Sequence, residues 1–422
     1  ASTLTVGGVI SGAGFGLTKS GAGNLTLSAA NTFTGPVTIN SGTLTVTSAI
    51  GNGGSAGGLG QSTSDAANLV INGGVFNWNA AASETSNRSI TIGTNGGTIF
   101  GNGSSGAAGL TLTGSLALAG SGARTITLIS SASNRNNSWS ADIGDSGGAT
   151  SVVVNNTFAN GGSSWALSGS LSFTGGLSVT GGGGVLNLTG TNNNFSGGVT
   201  VGAGSALYLN RTGTLSQDFT NNGTVGSGQN STSVTFSGVI SGAGNVTSTG
   251  NARSITLSNT NNSYEGTTTV QSSALSEVLS VTKLADGGVN SSIGKSSSAA
   301  SNLRILGMSL RYTGTGDSTD RLFTINGSAA AAYAGIEANG TGPLNFTNTG
   351  AIAYGTTDQT RTLTLYGTNT GNNTFAPTIG NNGTGAVSLT KSGAGTWVLE
   401  GANSYTGTTT LSGGVLGISA DA

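Results

Sequence analysis

The chain of 422 residues has no cysteine and no histidine, 3 prolines and a single methionine. Without cysteine there is no disulfide staple and no thiol nucleophile. Without histidine there is no imidazole base, and the ordinary zinc ligand sets are gone. Charge is equally scarce: Asp, Glu, Lys and Arg make up 6% of the residues and the net charge is −1. Soluble domains carry roughly 25%. A surface this neutral offers no long-range field to steer a nucleic acid or an anionic membrane, so neither is an expected partner. No apolar run reaches the about eighteen residues that a spanning helix needs. No sustained 3.6-residue period is present either, which leaves little room for helix.

Gly, Ser, Thr and Asn fill the gap, with 77 glycines alone. Disorder does not follow from this composition, because the aliphatic residues recur in alternation. Leu25-Thr26-Leu27, Val37-Thr38-Ile39 and Leu44-Thr45-Val46 each place apolar side chains on one face and threonine on the other. Gly-Ala-Gly and Asn-Thr-Phe-Thr-Gly lie between such segments and suit tight corners. Three short strands in about twenty to thirty residues describe one coil of a solenoid. The fold class is therefore all-β: a right-handed parallel β-helix forming an elongated rod, right-handed because parallel crossovers default to that hand.

Repetition runs at two levels. Residues 17–35 read LTKSGAGNLTLSAANTFTG and residues 389–407 read LTKSGAGTWVLEGANSYTG. A longer cycle of about 235 residues relates GVISGAG at 8–14 to the same string at 238–244, and RTITL at 124–128 to RTLTL at 361–365. No linker separates the two cycles, approximately 1–235 and 236–422, so a single continuous solenoid over 1–422 is expected.

The short repeat resembles the passenger-associated strand repeats of bacterial autotransporters, whose pattern is approximately L-x-K-x-G-x-G-x-L-x-L-x-G-x-N-x-Y/F-x-G. Residues 17–46 and 389–418 match it almost throughout; 186–207 and 255–275 match more loosely. The resemblance implies a β-helix outside a Gram-negative-type cell. Such proteins end in a membrane barrel, whereas this sequence finishes in SADA after a repeat strand. The start, STLTV, reads as a processed mature chain would.

Chemistry is sparse. Asp142 with Asp145, and Asp317 with Asp320, are the close acidic pairs, and solvated loops are the expected reading of both. Gly294-Lys295-Ser296 lacks the glycine spacing of a phosphate loop. No catalytic residue, metal ligand or cofactor is assigned. Arg88, Arg124, Arg253, Arg321 and Arg361 each precede an x-apolar-Thr-apolar strand. They are expected to clamp corners by capping loop carbonyls, locally paired with acids such as Glu84 and Asp317, in preference to forming a basic row for an anionic glycan. Lys19 and Lys391 are assigned a similar loop role. Phe33, Phe195, Tyr264 and Tyr405 share one phase and are expected to stack inside or at a corner. Leu4, Val6, Val415, Leu416 and Ile418 lie on terminal strands without a charged cap and are candidate assembly strands.

The leading expectation is a secreted structural β-solenoid that joins other copies of itself, head-to-tail or laterally, in an extracellular fibre or surface layer. The alternative is an autotransporter-type passenger acting as an adhesin on a cell-surface glycan or host surface. A glycan-active enzyme ranks last, because the acids are scattered.

Overall fold

The computed structural model describes residues 2–104, 108–131, 135–156, 163–190, 192–228, 233–248, 254–272, 277–327 and 332–419. Two compact units divide the chain, Ala1–Tyr208 and Leu209–Ala422. Each is built of short strands that pair in parallel with the equivalent strand one coil away, as a parallel β-helix requires. Long helices are absent from the described residues; the only helical segments there are single 3₁₀ turns at Ala66–Asn68 and Ala300–Asn302.

In the first unit, Thr3–Val6, Asn24–Leu27, Thr43–Val46, Val75–Trp78, Gly97–Gly101, Arg124–Ser130, Thr150–Asn156, Leu177–Thr180 and Val199–Val201 follow one another across one sheet. Register aligns Leu4, Leu25, Leu44, Phe76, Ile99, Leu128, Val154, Val179 and Val201 in one column. From Leu44 onward every member of that column is 0% exposed. The alternation explains it. A parallel ladder keeps i opposite its register partner, so a residue that faces inward in one coil faces inward in all. Leu27, Val37, Ile39 and Val46 are likewise buried, and Leu25 is half-buried. The second unit repeats the device with Val234, Ile255, Leu279, Leu310, Ile336 and Leu365. The alanine-rich run extends as strand Ala332–Ala338 within that sheet.

Aromatics occupy several interior positions. Phe33, Phe195 and Tyr264 are all buried, and Phe195 stacks on Phe173 with centroids 4.9 Å apart. Tyr405 is half-buried. Tyr264 and Tyr405 close the same local bond, hydroxyl to hydroxyl, with Thr268 at 2.6 Å and Thr409 at 2.8 Å.

The repeat lysine now has a physical reason. Lys391 belongs to the inward column after Leu365 and is 0% exposed. Its ammonium turns to the corner and donates to the carbonyls of Ser392, Gly393 and Gly413 at 2.8–3.1 Å. Lys19 does the same with Ser20, Gly21 and Ser41. Burial holds Lys391 below the ordinary lysine value. Gly42 and Gly414, each at φ +65, pass directly over these ammonium groups, and a Cβ there would lie 2.6 or 2.7 Å from Nζ. Only glycine suits both the positive φ and the close approach.

Candidate functional site

The arginines stand where neighbouring coils meet. Arg88 is 3% exposed. Its Nε donates to the carbonyls of Ile50 and Gly51 at 3.3 and 3.2 Å, and its terminal nitrogens reach Gly60 O at 2.7 Å, Ser55 O at 3.3 Å and both oxygens of Ser62. Arg321 repeats this a cycle later on Ala285 O, Gly294 O, Val289 O and Ser296 Oγ. Arg124 caps Ile92, Ala119, Gly120 and Ser146, and Arg361 caps Gly327, Thr356 and Thr360. Arg253 lies outside the described residues. Burial pushes Arg88 and Arg321 below the ordinary arginine value, against the opposing pull of Glu84 on the first and of Tyr264, Asp320 and Asp286 on the second.

The expected pairing of Glu84 with Arg88 takes a different form. Glu84 accepts from the amides of Ile50 and Gly51 at 3.0 and 2.7 Å and from Trp78 Nε1 at 2.9 Å. Acid and base thus hold the N–H and the C=O groups of the same two residues, Ile50 and Gly51. In the second unit Asp317 accepts from Leu284 N and Asp320 from Gly287 N. The loops at 50–62 and 284–296 are fixed by these grips, while their tips, 54–56 and 288–290, remain exposed.

The other acidic pair is similarly structural. Asp142 accepts from Ser170 N at 2.7 Å. Asp145 accepts from Thr150 N and from the amide and hydroxyl of Thr174. Partial burial pushes Asp145 up, but these bonds outweigh it and leave the carboxyl below its ordinary value. Its stabilising contribution is therefore present above the unfolded value of about 4 and disappears as pH falls through that range. In the second unit Asn381 Oδ1 likewise accepts from Val387 N and Thr406 N, while its Nδ2 donates to the Thr406 hydroxyl. Asp145→Asn should consequently fold normally and lose less stability than the parent between about pH 4 and 2.5, by under about 1 kcal/mol; thermal melts across that window check it. Among the described residues, no group of three or more Asp or Glu side chains could hold a metal ion.

Of the terminal residues, Leu4, Val415 and Ile418 are exposed at 63%, 55% and 68%, whereas Val6 and Leu416 are half-buried. Thr3–Val6 pairs with Asn24–Leu27, and Val415–Ile418 pairs with Thr396–Leu399.

A cluster that the sequence reading passed over lies on an outward face. In the second unit the outward column beside the apolar one reads Thr214, Thr235, Thr256, Ser280, Arg311, Glu337, Tyr366. Hydroxyls give way to a charged and aromatic trio. Arg311 Nε meets Glu337 Oε2 at 2.6 Å, and Asn339 Nδ2 donates to Glu337 Oε1 at 2.7 Å. Tyr366 lies across Gly335, where any side chain would collide with its ring, and donates to Ser309 Oγ at 2.7 Å. Burial raises Tyr366 to about 12, with Glu337 adding to the rise and Ser309 and Arg311 opposing it. Beside the trio, Tyr333, Thr362, Thr364, Thr390 and Ser392 line an open depression of about 480 Å³. The only sequence signal was a break in the threonine alternation: Arg311, Glu337 and Tyr366 replace a small hydroxyl at the outward position of their strands.

Parallel coils, an inward column of aliphatics and corners capped by buried cations define a repeat-built β-helix. The passenger-associated-transport-repeat family model matches residues 17–46, 182–205, 254–272 and 389–418 of the chain. The chain is 35% identical over 466 aligned residues to the adhesin BmaC autotransporter of Brucella suis biovar 1 (strain 1330). That alignment takes in 99% of this chain and 12% of the relative, so the chain spans about an eighth of the length of the curated protein it matches. No solved structure matches it. Among the described residues no helix is long and apolar enough to cross a membrane.

Proposed function

We propose that this chain is part of an autotransporter passenger that acts as an adhesin at the surface of a Gram-negative-type bacterium and has no enzymatic role. The observation that carries this reading is the 35% identity to an autotransporter adhesin, sustained across 99% of the chain. The physical arrangement agrees with it. A coil stack spends its polar side chains on its own corners and presents broad outward faces of Thr, Ser and Asn, which is what a recognition scaffold needs.

Latex beads coated with the purified chain provide the test. Beads should attach to cultured epithelial cells several-fold above beads coated with an unrelated neutral protein, and free chain should compete. Attachment no better than the control would remove the adhesin reading.

A second reading, self-association into a fibre or surface layer, is supported by the scarcity of charge, with charged residues at 6% and a net charge of −1, because near-neutral surfaces associate. Sedimentation of the chain across a hundredfold concentration range distinguishes it. A species that stays monomeric throughout would discard it.

A further inference from the structure

We infer that the outward depression at Tyr333 in the second unit is a binding site for a neutral saccharide; this names the ligand of the adhesin reading and rests on it. Three observations converge there. The lining consists of one tyrosine, three threonines (Thr362, Thr364 and Thr390) and Ser392, which offer a ring, hydroxyls and threonine methyls without a formal charge. A pyranose has the complementary character: a C–H face that stacks on an aromatic ring, and a rim of hydroxyls that exchange hydrogen bonds with side-chain hydroxyls. An ionic ligand would find no counter-charge in the depression, since Arg311 beside it is already engaged by Glu337.

The second observation is rigidity. Thr362, Thr364 and Thr390 stand on strands Arg361–Gly367 and Val387–Lys391, locked in register with each other and with Ala332–Ala338, which carries Tyr333. Thr364 is only 6% exposed, so its rotamer is fixed by its neighbours. Tyr366, tied to Ser309, walls the face beyond Gly335. Rigid strands place a site more accurately than loops do, and ordering costs little on binding.

The third is an internal comparison. Arg124–Ser130 corresponds to Arg361–Gly367, and its partner Gly97–Gly101 corresponds to 334–338. On that alignment Thr362 and Thr364 have counterparts in Thr125 and Thr127, whereas Thr390 falls on Val153 and Tyr333 on Gly96. Ser392 falls on Asn155, so the first unit keeps the scaffold but lacks the stacking ring and two of the four hydroxyls. A feature required only for coil stacking would be needed equally in both units.

The test uses the full chain against an array of neutral oligosaccharides of glucose, galactose and N-acetylglucosamine, followed by titration calorimetry on any binder. Tyr333→Gly, the residue found in the first unit, and Thr364→Val should each lower affinity by about tenfold or more. Tyr333→Phe should retain stacking and most of the affinity, and it also serves as the folding control, with unchanged melting temperature. Binding that survives Tyr333→Gly, or no binding of any neutral saccharide by a chain whose beads still adhere to cells, would overturn the assignment while leaving adhesion intact. Adhesion that is abolished by protease treatment of the target cells and insensitive to glycosidase would point to a protein ligand and also reject it. Saccharide binding lost in Tyr333→Gly, in a chain whose beads do not adhere, would uphold the site and reject the adhesin reading.

Discussion

Arg88→Ala is expected to destabilise the first unit by about 3–5 kcal/mol, because a buried cation that satisfies several carbonyls leaves all of them unpaired when it is removed. The guanidinium bridges Ile50, Gly51, Ser55, Gly60 and Ser62, so the loss extends over the whole 50–62 loop. Hydrogen exchange should show the amides of that loop opening first, with the paired strands on either side slower. Arg88→Lys should recover only part of the loss, since a single ammonium cannot reproduce the planar fork. Arg321→Ala should produce the same signature at 284–296, where Arg321 makes the equivalent bonds. A guanidinium unfolding midpoint unchanged in either alanine variant would show that the loops carry themselves.

Trp78→Ala should cost about 4 kcal/mol. The indole is 0% exposed at the inward face of Val75–Trp78, and its Nε1 donates to Glu84. Truncation therefore empties a large interior volume and frees the carboxylate that holds Ile50 N and Gly51 N. Two consequences distinguish it from an ordinary cavity. Trp78→Phe should restore most of the volume but not the grip on Glu84, leaving a residual loss of about 1–2 kcal/mol. Combining Trp78→Ala with Arg88→Ala should give less than the sum of the single effects, because both act through the same loop. Additive effects in that double-variant cycle would separate the two contributions and contradict the shared-loop account.

These grips also bear on the proposed adhesion. The tips of the two gripped loops are exposed and differ, Gly54-Ser55-Ala56 in the first unit and Gly288-Val289-Asn290 in the second. A loop fixed at its base can vary at its tip without disturbing the coils beneath it. The outward columns behave likewise: threonine is the default, and departures such as Arg311, Glu337 and Tyr366 leave the inward column untouched because successive side chains point to opposite faces. The β-helix thus separates what holds it together from what it shows to a partner.

How much of this was legible beforehand follows from the range of each interaction. Alternation of period two in Leu25-Thr26-Leu27 or Val37-Thr38-Ile39 decides inward from outward locally, so the coil, the aliphatic column and the glycine corners could be read from the chain alone. The recurrence of arginine before a strand likewise marked a shared phase, though not that Glu84 would take the N–H groups and Arg88 the C=O groups of the same two residues, Ile50 and Gly51. The outward cluster was not legible. Arg311, Glu337 and Tyr366 are neighbours only because Ser309–Tyr312, Ala332–Ala338 and Arg361–Gly367 pair in one particular register. Coil lengths vary, and a slip of one residue would turn each of these side chains to the interior. Local alternation determined the wall; the three-dimensional stacking of unequal coils decided which side chains meet on its outer surface.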